Sequence, residues 1–434
     1  MAEEVDPAAI ATTVTELARD GRFDEMAALF APRLRAVVSA ETVRLGWTTE
    51  TSRIGAVCGM GEPVSGRPAN GLVRVSVPVQ GEHGGLTVVL SVDRAGLLHG
   101  LRLAPAETNE WTPPQYARPK RFTERAVVIG DGALAVPGAL TLPRGRGRRS
   151  GVVLLSGGGP FDRDATSGAN KPLKDLAWGL ASRGVAVLRF DKVTLAHPQV
   201  IEAIGFNMAE EYVPHAVAAV RLLQRQPSVD PARVFVLGHS MGGKAAPRVA
   251  AAESSVAGLV ILAGETQPMH HSAVRVARHL ATLVPVDAGS AAVATITRQA
   301  ALVDSADLSP STPASRLPLG LPASYWLDLR GYDPVPAAAA LGKPMLILQG
   351  GRDYQVTVQE DLSRWRAGLA HRPDVTIRVY DADNHLFFPG SGPSTPAEYE
   401  APQHVDPAVV ADIAAWLDPS RWRSRLRSLL SGGR

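Results

Sequence analysis

The chain has 434 residues, of which 45% are apolar and 20% charged, as in ordinary globular proteins. This length is more than one hydrophobic core usually serves, so we expect two folding units. A formal net charge of +3 is far from the concentrated basic surface of a nucleic-acid-binding protein, and no apolar run is long enough to cross a membrane. Nucleic-acid and membrane partners are therefore not expected.

The single cysteine, Cys58, excludes an internal disulfide and suits a reducing compartment. We expect it to be a small, packed side chain. Residues 1–7 carry acids and no basic region, and no signal-peptide pattern follows them. The sequence therefore predicts a cytoplasmic protein.

Residues 1–104 predict a small α+β domain. Apolar residues at three- and four-residue spacing between Ile10 and Leu34 predict two or three amphipathic helices. From Leu72 the pattern changes to alternation, which predicts an antiparallel meander. The domain contains no convincing catalytic cluster, and its sequence leaves open whether it binds a partner, forms a homodimer or overhangs a pocket. Residues 105–120 predict a linker, because they are rich in proline and polar residues.

Residues 121–420 predict an α/β domain, because short β-branched runs alternate with helix-length segments after an initial hairpin. The predicted parallel strands lie at 152–155, 185–188, 234–237, 259–262, 345–348 and 376–380. We expect a mostly parallel sheet with helices on both faces. A long insertion at about 265–343 predicts a helical cap, and residues 421–434 form a basic carboxyl-terminal tail.

A motif of the form G-x-S-x-G follows the predicted strand at 234–237 and precedes a predicted helix. Its residues are Gly238, His239, Ser240, Met241 and Gly242. The serine of such a motif sits on a sharp strand-to-helix turn, where side chains at the flanking glycine positions would clash. This setting predicts the α/β-hydrolase fold with Ser240 as nucleophile; the alternative is a tight structural turn.

A serine hydroxyl needs a base within hydrogen-bond reach, and the base needs a third group that orients it. In this fold the partners follow in the order serine, acid, histidine. Asp353 stands just past the strand at 345–348, and His385 just past the next one. We predict that these two complete the triad. Asp381 or Asp383 would be the acid if Asp353 only formed a turn, and His385 could be an ordinary loop histidine.

The oxyanion formed by serine attack must meet backbone N–H groups that already point at it. One predicted donor is the amide of Met241, the residue after the nucleophile. The others lie in the loop that contains Gly157, Gly158 and Gly159, where the absence of side chains lets the backbone approach a ligand. A phosphate-binding loop is the competing interpretation, but the sequence lacks G-x-x-x-x-G-K-[ST].

Aromatic residues near these positions predict contact with an apolar or aromatic acyl group, although packing explains such residues about as well. The predicted substrate-binding residues are Phe161, His239, Tyr325, Trp326, Tyr332 and Tyr354. No metal or organic cofactor is predicted. The cap histidines His270, His271 and His279 lack carboxylates or cysteines at a metal-ligand spacing, so we expect them to face solvent or substrate.

Several longer stretches resemble a known family. They are S-G-G-G-P-F-D-R-D at 156–164, L-R-F-D-K at 188–192 and Q-G-G-R-D-Y-Q-V at 349–356. Over nearly the whole chain, the sequence resembles bacterial dienelactone-hydrolase-like α/β hydrolases, which are serine esterases, in a branch with a small amino-terminal domain of unknown function. The resemblance implies the triad given above and cofactor-free chemistry. Two departures are Ser156, where relatives usually have histidine, and Val193, where many have arginine.

The sequence leaves three functions open. The first is hydrolysis of a small-molecule carboxylic ester, lactone or thioester through an acyl-serine intermediate. The second is an acyltransferase or cyclase that uses the same acyl-serine chemistry in a biosynthetic pathway. The third is a non-catalytic scaffold on an inherited hydrolase fold.

Overall fold

The structure is a computed structural model that describes residues 5–66, 68, 71–105, 111–283 and 286–418. The predicted basic tail at 421–434 and part of the predicted linker, 106–110, lie outside the described residues. The chain divides into two compact units. The first comprises residues 1–110, 281–292 and 314–320, and the second comprises residues 111–280, 293–313 and 321–434. No helix among the described residues is long and apolar enough to cross a membrane.

The first unit packs helices on an antiparallel sheet. Its amino-terminal helices are α1 (Pro7–Arg19), α2 (Phe23–Ala28), α3 (Pro32–Val37) and α4 (Ala40–Ile54). Its strands are β1 (Val57–Met60), β2 (Val64–Ser65), β3 (Leu72–Gly81), β4 (Gly84–Asp93) and β5 (Leu98–Pro105). The strand order is β1-β3-β4-β5, with β2 also paired to β3. The predicted helices and meander are confirmed.

Burial in this sheet alternates along the strands, as the sequence pattern predicts. Val75, Val77 and Val79 are at most 1% exposed and join the helices in one apolar core, because alternate residues of a strand point to the same face. Cys58 is exposed on β1, so the expectation of a packed cysteine was wrong. An edge strand with its alternate face in solvent explains this exposure.

The second unit contains the predicted α/β sheet. Its strands are β6 (Phe122–Ile129), β7 (Val136–Pro143), β8 (Arg149–Leu155), β9 (Ala186–Phe190), β10 (Val229–His239), β11 (Leu259–Leu262), β12 (Met345–Gly350) and β13 (Val375–Tyr380). In the described residues the order is β13-β12-β11-β10-β8-β9-β7-β6. The antiparallel hairpin β6–β7 borders the sheet, β7 pairs antiparallel with β9, and the remaining pairs are parallel. The predicted fold class is confirmed.

The helices described after residue 111 are α5 (Pro172–Ala181), α6 (Val193–Ala196), α7 (Met208–Gln224), α8 (Met241–Ala252), α9 (Met269–Ala281), α10 (Val286–Asp304), α11 (Ala323–Arg330), α12 (Pro334–Ala340), α13 (Ser363–Leu369) and α14 (Pro407–Trp416). Helices α5 and α14 contact one face of the sheet, and α7 and α8 contact the other. Phe235 and Leu237 of β10 pack in a core with α5 and α14, while Val234 and Val236 on the opposite face are also fully buried beside α7 and α8.

The direction of the parallel strands places the predicted site residues at one end of the sheet. The glycine loop follows β8, Ser240 follows β10, Asp353 follows β12 and His385 follows β13. All four strands run in the same direction, so their carboxyl ends lie at the same end of the sheet, where ligands bind in open α/β folds.

Candidate active site

Ser240 occupies the sharp turn between β10, which ends at His239, and α8, which begins at Met241. Its backbone has φ 54° and ψ −120°, a conformation that residues other than glycine rarely adopt. Its amide donates a 2.9 Å hydrogen bond to the carbonyl of Leu262 on the neighbouring strand. The strained turn holds a half-buried serine at the amino terminus of a helix.

The two glycines of the motif are required by contacts with main-chain atoms. A Cβ on Gly238 would lie 2.1 Å from the carbonyl oxygen of Gly242. A Cβ on Gly242 would lie 2.6 Å from the carbonyl oxygens of Leu155 and Ser156, at the end of β8. Since hydrogen-bonded main-chain atoms cannot move aside easily, only glycine fits on either side of the turn.

His385 and Asp353 form a buried pair. The imidazole Nδ1 lies 2.7 Å from Asp353 Oδ2, and both side chains are at most 5% exposed. The other carboxylate oxygen, Oδ1, accepts the amides of Gln355 and Val356 at 2.8 and 2.9 Å. Asp353 therefore forms a turn and also orients His385. An imidazole that donates its Nδ1 hydrogen to a carboxylate carries its lone pair on Nε2, as a general base must.

The two alternative acids from the sequence have other surroundings. Asp381 is exposed at the end of β13. Asp383 is buried, and its burial together with the carboxylate of Asp406 raises its pKa to about 7. The carboxylate that contacts His385 belongs to Asp353.

The loop that carries His385 is held by side chains that the sequence analysis did not single out. Asn384 Oδ1 accepts the amides of Leu386 and Phe388 at 3.0 and 3.1 Å, and its Nδ2 donates to Glu398 at 2.9 Å. Asn384 precedes His385 in the chain, but its partner Glu398 follows 14 residues later. Adjacency to the predicted histidine is the one sequence signal that could have indicated this asparagine.

His239, the residue before Ser240, is buried against the histidine loop. Its Nε2 donates a 2.8 Å hydrogen bond to the main-chain carbonyl of His385, and the two rings lie 4.7 Å apart. Burial and the neighbouring His385 lower its pKa to about 3, so the ring is neutral. These contacts match the expected packing beside the nucleophile, and a role of His239 in substrate binding stays a prediction.

The glycine loop lies against the serine turn. A Cβ on Gly157 would be 3.3 Å from Ser240 Cβ and 3.7 Å from its Oγ, and one on Gly158 would be 3.8 Å from Met241 Cβ. Gly159 has φ +104°, which favours glycine. The structure therefore brings together Ser240, Met241 and the loop whose N–H groups were predicted to receive the oxyanion.

Most of the predicted aromatic contacts are committed to protein partners. Tyr325 is 2% exposed and donates to Glu211 at 2.6 Å, and Trp326 is fully buried. The hydroxyl of Tyr332 donates to the carbonyl of Lys244, and Tyr354 stacks on His279. Phe161 is half-buried beside Gly159. Tyr325 and Trp326 therefore present almost no surface to a ligand, and substrate binding by Tyr332, Tyr354 and Phe161 stays a prediction.

One group in the described chain has the composition of a metal site, although the sequence spacing indicated no carboxylate for the cap histidines. His270 and His271 place their Nε2 atoms 2.7 and 2.8 Å from the two carboxylate oxygens of Asp304, at the end of α10. His270 is buried, while His271 and Asp304 are exposed. Since each imidazole already has the aspartate as partner, hydrogen bonding accounts for the cluster.

Comparison with known proteins gives two matches at the level of family. The family described as serine aminopeptidase, S33, matches residues 170–389. Esterase EstD of Thermotoga maritima is 34% identical over 336 residues, which span 77% of this chain and 77% of that protein. The similarity to bacterial serine hydrolases that the sequence motifs predict is confirmed.

Solved structures with similarity to the chain include the esterase domain of a Rhodothermus marinus protein and an esterase from Pyrococcus furiosus. The first is 16% identical with a TM-score of 0.42, and the match covers 68% of this chain and 97% of that chain. The second is 17% identical with a TM-score of 0.43, and the match covers 72% and 98%. Both are too distant to carry an inference about this chain.

Proposed function

Since the chain belongs to the serine aminopeptidase S33 family of α/β hydrolases, we propose that it hydrolyses small-molecule carboxylic esters through an acyl-enzyme intermediate on Ser240. The observation that carries this proposal is the buried pair between His385 Nδ1 and Asp353 Oδ2, which orients a base at the carboxyl ends of the parallel strands, where the sharp turn holds the half-buried Ser240. The name of the Thermotoga relative favours an ester as substrate.

In the acylation step, Ser240 Oγ attacks the ester carbonyl carbon while His385 Nε2 takes the hydroxyl proton. Asp353 keeps the ring oriented and stabilises the imidazolium that forms. The N–H groups of Met241 and of Gly158 or Gly159 receive the negative carbonyl oxygen. When the tetrahedral intermediate collapses, the carbon–oxygen bond to the alcohol breaks and His385 returns the proton to the leaving alcohol.

In the deacylation step, His385 takes a proton from water, and the hydroxide attacks the acyl-serine. The second tetrahedral intermediate releases the carboxylic acid as the proton returns to Ser240. The same acyl-enzyme could pass its acyl group to another nucleophile. We place hydrolysis first because the curated relative is named an esterase.

The test measures release of p-nitrophenol from short- and medium-chain esters by the wild type and by Ser240→Ala. We expect turnover to fall to the background in the variant, and a fluorophosphonate probe to label the wild type on the peptide that contains Ser240. Ser255→Ala is the matched control, because Ser255 lies before the amino end of β11, at the opposite end of the strands from Ser240.

Other outcomes would replace the proposal. Labelling of Ser240 without turnover of any ester would favour acyl transfer to a special acceptor. Cleavage of amino-acyl p-nitroanilides in place of esters would favour a peptidase. Full ester turnover by Ser240→Ala would overturn the acyl-serine mechanism.

We make two further proposals, a cytoplasmic location and a homodimer. A cytoplasmic location is consistent with the exposed thiol of Cys58, which a reducing compartment would keep free. A homodimer is the other, and light scattering on the purified protein in the presence of a reductant tests it.

A further inference from the structure

The glycine loop beside Ser240 is fixed through its main-chain carbonyl groups. The carbonyl oxygen of Gly157 accepts hydrogen bonds from Lys192 Nζ at 3.0 Å and from the Tyr212 hydroxyl at 2.8 Å. The carbonyl of Ser156 also lies 3.1 Å from the Tyr212 hydroxyl. In contrast, the Ser156 Oγ atom is buried and has no hydrogen-bond partner among the described residues. The side chain of Ser156 therefore does not orient the loop. The loop is oriented by the hydrogen bonds to the carbonyl groups of Ser156 and Gly157.

A bond to the Gly157 carbonyl also fixes the next amide. A trans peptide group is planar, so the C=O of Gly157 and the N–H of Gly158 point in opposite directions from one plane. Two donors that hold the carbonyl therefore fix the direction of the Gly158 N–H. The proposed mechanism pairs the N–H of Met241 with that of Gly158 or Gly159, and the fixed direction of the Gly158 N–H favours Gly158 as the second donor.

Lys192 has an unusually complete set of partners for a lysine. Its three ammonium hydrogens match three acceptors: the Gly157 carbonyl at 3.0 Å, the Tyr212 hydroxyl at 2.8 Å and Glu211 Oε1 at 2.8 Å. The lysine is 3% exposed and the glutamate 6%, so little water screens the positive charge. Burial lowers the pKa of Lys192 below its usual range. An ammonium on a carbonyl oxygen polarises the whole peptide group and makes its N–H a stronger donor.

The glutamate of this pair is itself held in place. Glu211 Oε1 accepts the Thr194 hydroxyl at 3.0 Å, and Oε2 accepts the Tyr325 hydroxyl at 2.6 Å. The Tyr325 hydroxyl also lies 3.2 Å from Met241 Sδ. One buried network therefore contacts both residues that flank the expected position of the oxyanion, Gly157 on one side and Met241 on the other.

We propose that Lys192 and Tyr212 are positioning residues of the oxyanion hole, which hold and polarise the Gly157–Gly158 peptide so that its N–H stabilises negative charge on the reacting carbonyl oxygen. Neither residue touches the substrate. The inference rests on the proposed acyl-serine function, and it assigns a role to an ion pair that the triad does not need.

The test compares the wild type with Lys192→Met, which keeps an unbranched side chain one atom shorter and removes its charge, and with Tyr212→Phe, which removes the hydroxyl alone. For ester hydrolysis we expect kcat to fall by about 10- to 100-fold in Lys192→Met, somewhat less than the roughly 10²- to 10³-fold effect of deleting an oxyanion donor. Tyr212→Phe should lose about 3- to 10-fold, on the same reasoning. KM should change little, because a ground-state carbonyl carries little charge.

Two readouts separate this role from a merely structural one. The inhibition constant of a boronic acid, which forms a tetrahedral adduct with the serine, should rise by the same factor as kcat falls. The wild type should also lose kcat at alkaline pH as Lys192 loses its proton, since the charged form is the active one below its pKa. Lys192→Met should lack this alkaline decline. The titratable groups that face the ammonium are Glu211 and Tyr212, and burial raises the pKa of the tyrosine.

Lys343→Met is the matched control. Lys343 also donates hydrogen bonds from its ammonium to two main-chain carbonyls, those of Ser254 and Val256. It precedes the amino end of β12, however, at the opposite end of the strands from the proposed site. This variant should keep kcat within about twofold. Circular dichroism identifies any variant that does not fold. If Lys192→Met does not fold, Tyr212→Phe still tests the proposal, because it keeps the Lys192–Glu211 ion pair.

The rate of Ser240 labelling by a fluorophosphonate is measured in parallel, because phosphonylation uses the same N–H groups and needs no ester substrate. Slower labelling in both folded variants, with no ester turned over by the wild type, would refute the ester function and support the positioning role. Unchanged labelling and unchanged kcat in folded variants would overturn the positioning role and leave the esterase proposal intact. A rise in KM alone would overturn it too.

Discussion

The serine turn and the histidine loop are held in position by different kinds of interaction. The turn at 238–242 is held by backbone geometry, with two glycines whose Cβ atoms would overlap main-chain atoms and a serine at φ 54°. The loop at 381–390 is held by side chains, through Asn384, Glu398 and the ring of His239. A position fixed by backbone sterics tolerates one residue type, whereas a position fixed by hydrogen bonds tolerates any side chain that makes the same bond.

The largest expected effect comes from Asp353→Asn, which leaves the shape of the histidine loop but reverses one hydrogen bond. We expect kcat for ester hydrolysis to fall by about 10³- to 10⁴-fold, because the amide holds the histidine in the wrong tautomer. Steady-state kinetics measure this loss. Asp381→Asn is the control, since this exposed aspartate was the alternative acid. If Asp381→Asn lost more activity than Asp353→Asn, the assignment of the acid would be wrong.

A glycine substitution tests the backbone side of the comparison. In Gly242→Ala the new Cβ would meet two carbonyl oxygens at 2.6 Å, so we expect a loss of about 3 kcal/mol in the free energy of unfolding, as for severe overpacking. Gly331→Ala should be tolerated, because the nearest atom to its Cβ would be 3.7 Å away and its φ is −85°. Urea unfolding compares the two, and equal stability would contradict the steric account.

A histidine substitution tests the side-chain hydrogen bond. His239→Phe removes the donor to the His385 carbonyl, and a buried carbonyl without a partner costs about 1–3 kcal/mol. We expect kcat to fall by about tenfold, equivalent to about 1.4 kcal/mol in the barrier, as the loop loses its preferred position. His239→Gln can donate from its amide and should restore much of the activity. Equal activity of the two variants would show that the hydrogen bond does not position the loop.

The last prediction concerns Asp383, the buried carboxyl group that lies two residues before His385. The pKa of Asp383 is raised to about 7 by burial and by Asp406, against about 4 in an unfolded chain. Between these values the native protein keeps a proton that the unfolded chain has lost, so the free energy of unfolding falls as the pH rises from about 4 to 7.

In Asp383→Asn this pH-dependent penalty is absent. The variant should gain in melting temperature relative to the wild type as the pH rises from 5 to 8. Asp374→Asn serves as control, because Asp374 lies near the surface in an ion pair with Arg372. A difference between wild type and Asp383→Asn that stays constant with pH would contradict the raised pKa.

The positions of the proposed nucleophile, acid and base could be predicted because local rules govern them. Two glycines around Ser240 mark a turn that only glycine permits, and strand order then limits where the acid and the histidine can stand. Asp353 and His385 each follow the end of a strand that hydrophobic pattern alone identifies. The sheet was predictable for the same reason, since its strands are short apolar runs between helix-length segments.

The supporting side chains were not predictable, because they meet only after the chain folds. Lys192 and Tyr212 lie 35 and 55 residues from Gly157 along the sequence, and no spacing rule connects them. Asp304 reaches His270 across 34 residues for the same reason. The aromatic character of Tyr325 indicated a substrate pocket, whereas its hydroxyl binds Glu211. Residue type predicts chemistry well only where the local backbone also fixes position.

Cys58 gives each chain a single reactive thiol. It is the sole cysteine in the sequence and its side chain is exposed. Under oxidising conditions two chains can be joined by a single covalent link, and the product has no remaining thiol with which to extend a polymer. A maleimide dye would likewise attach once per molecule, so the amino-terminal unit already carries a site for stoichiometric labelling.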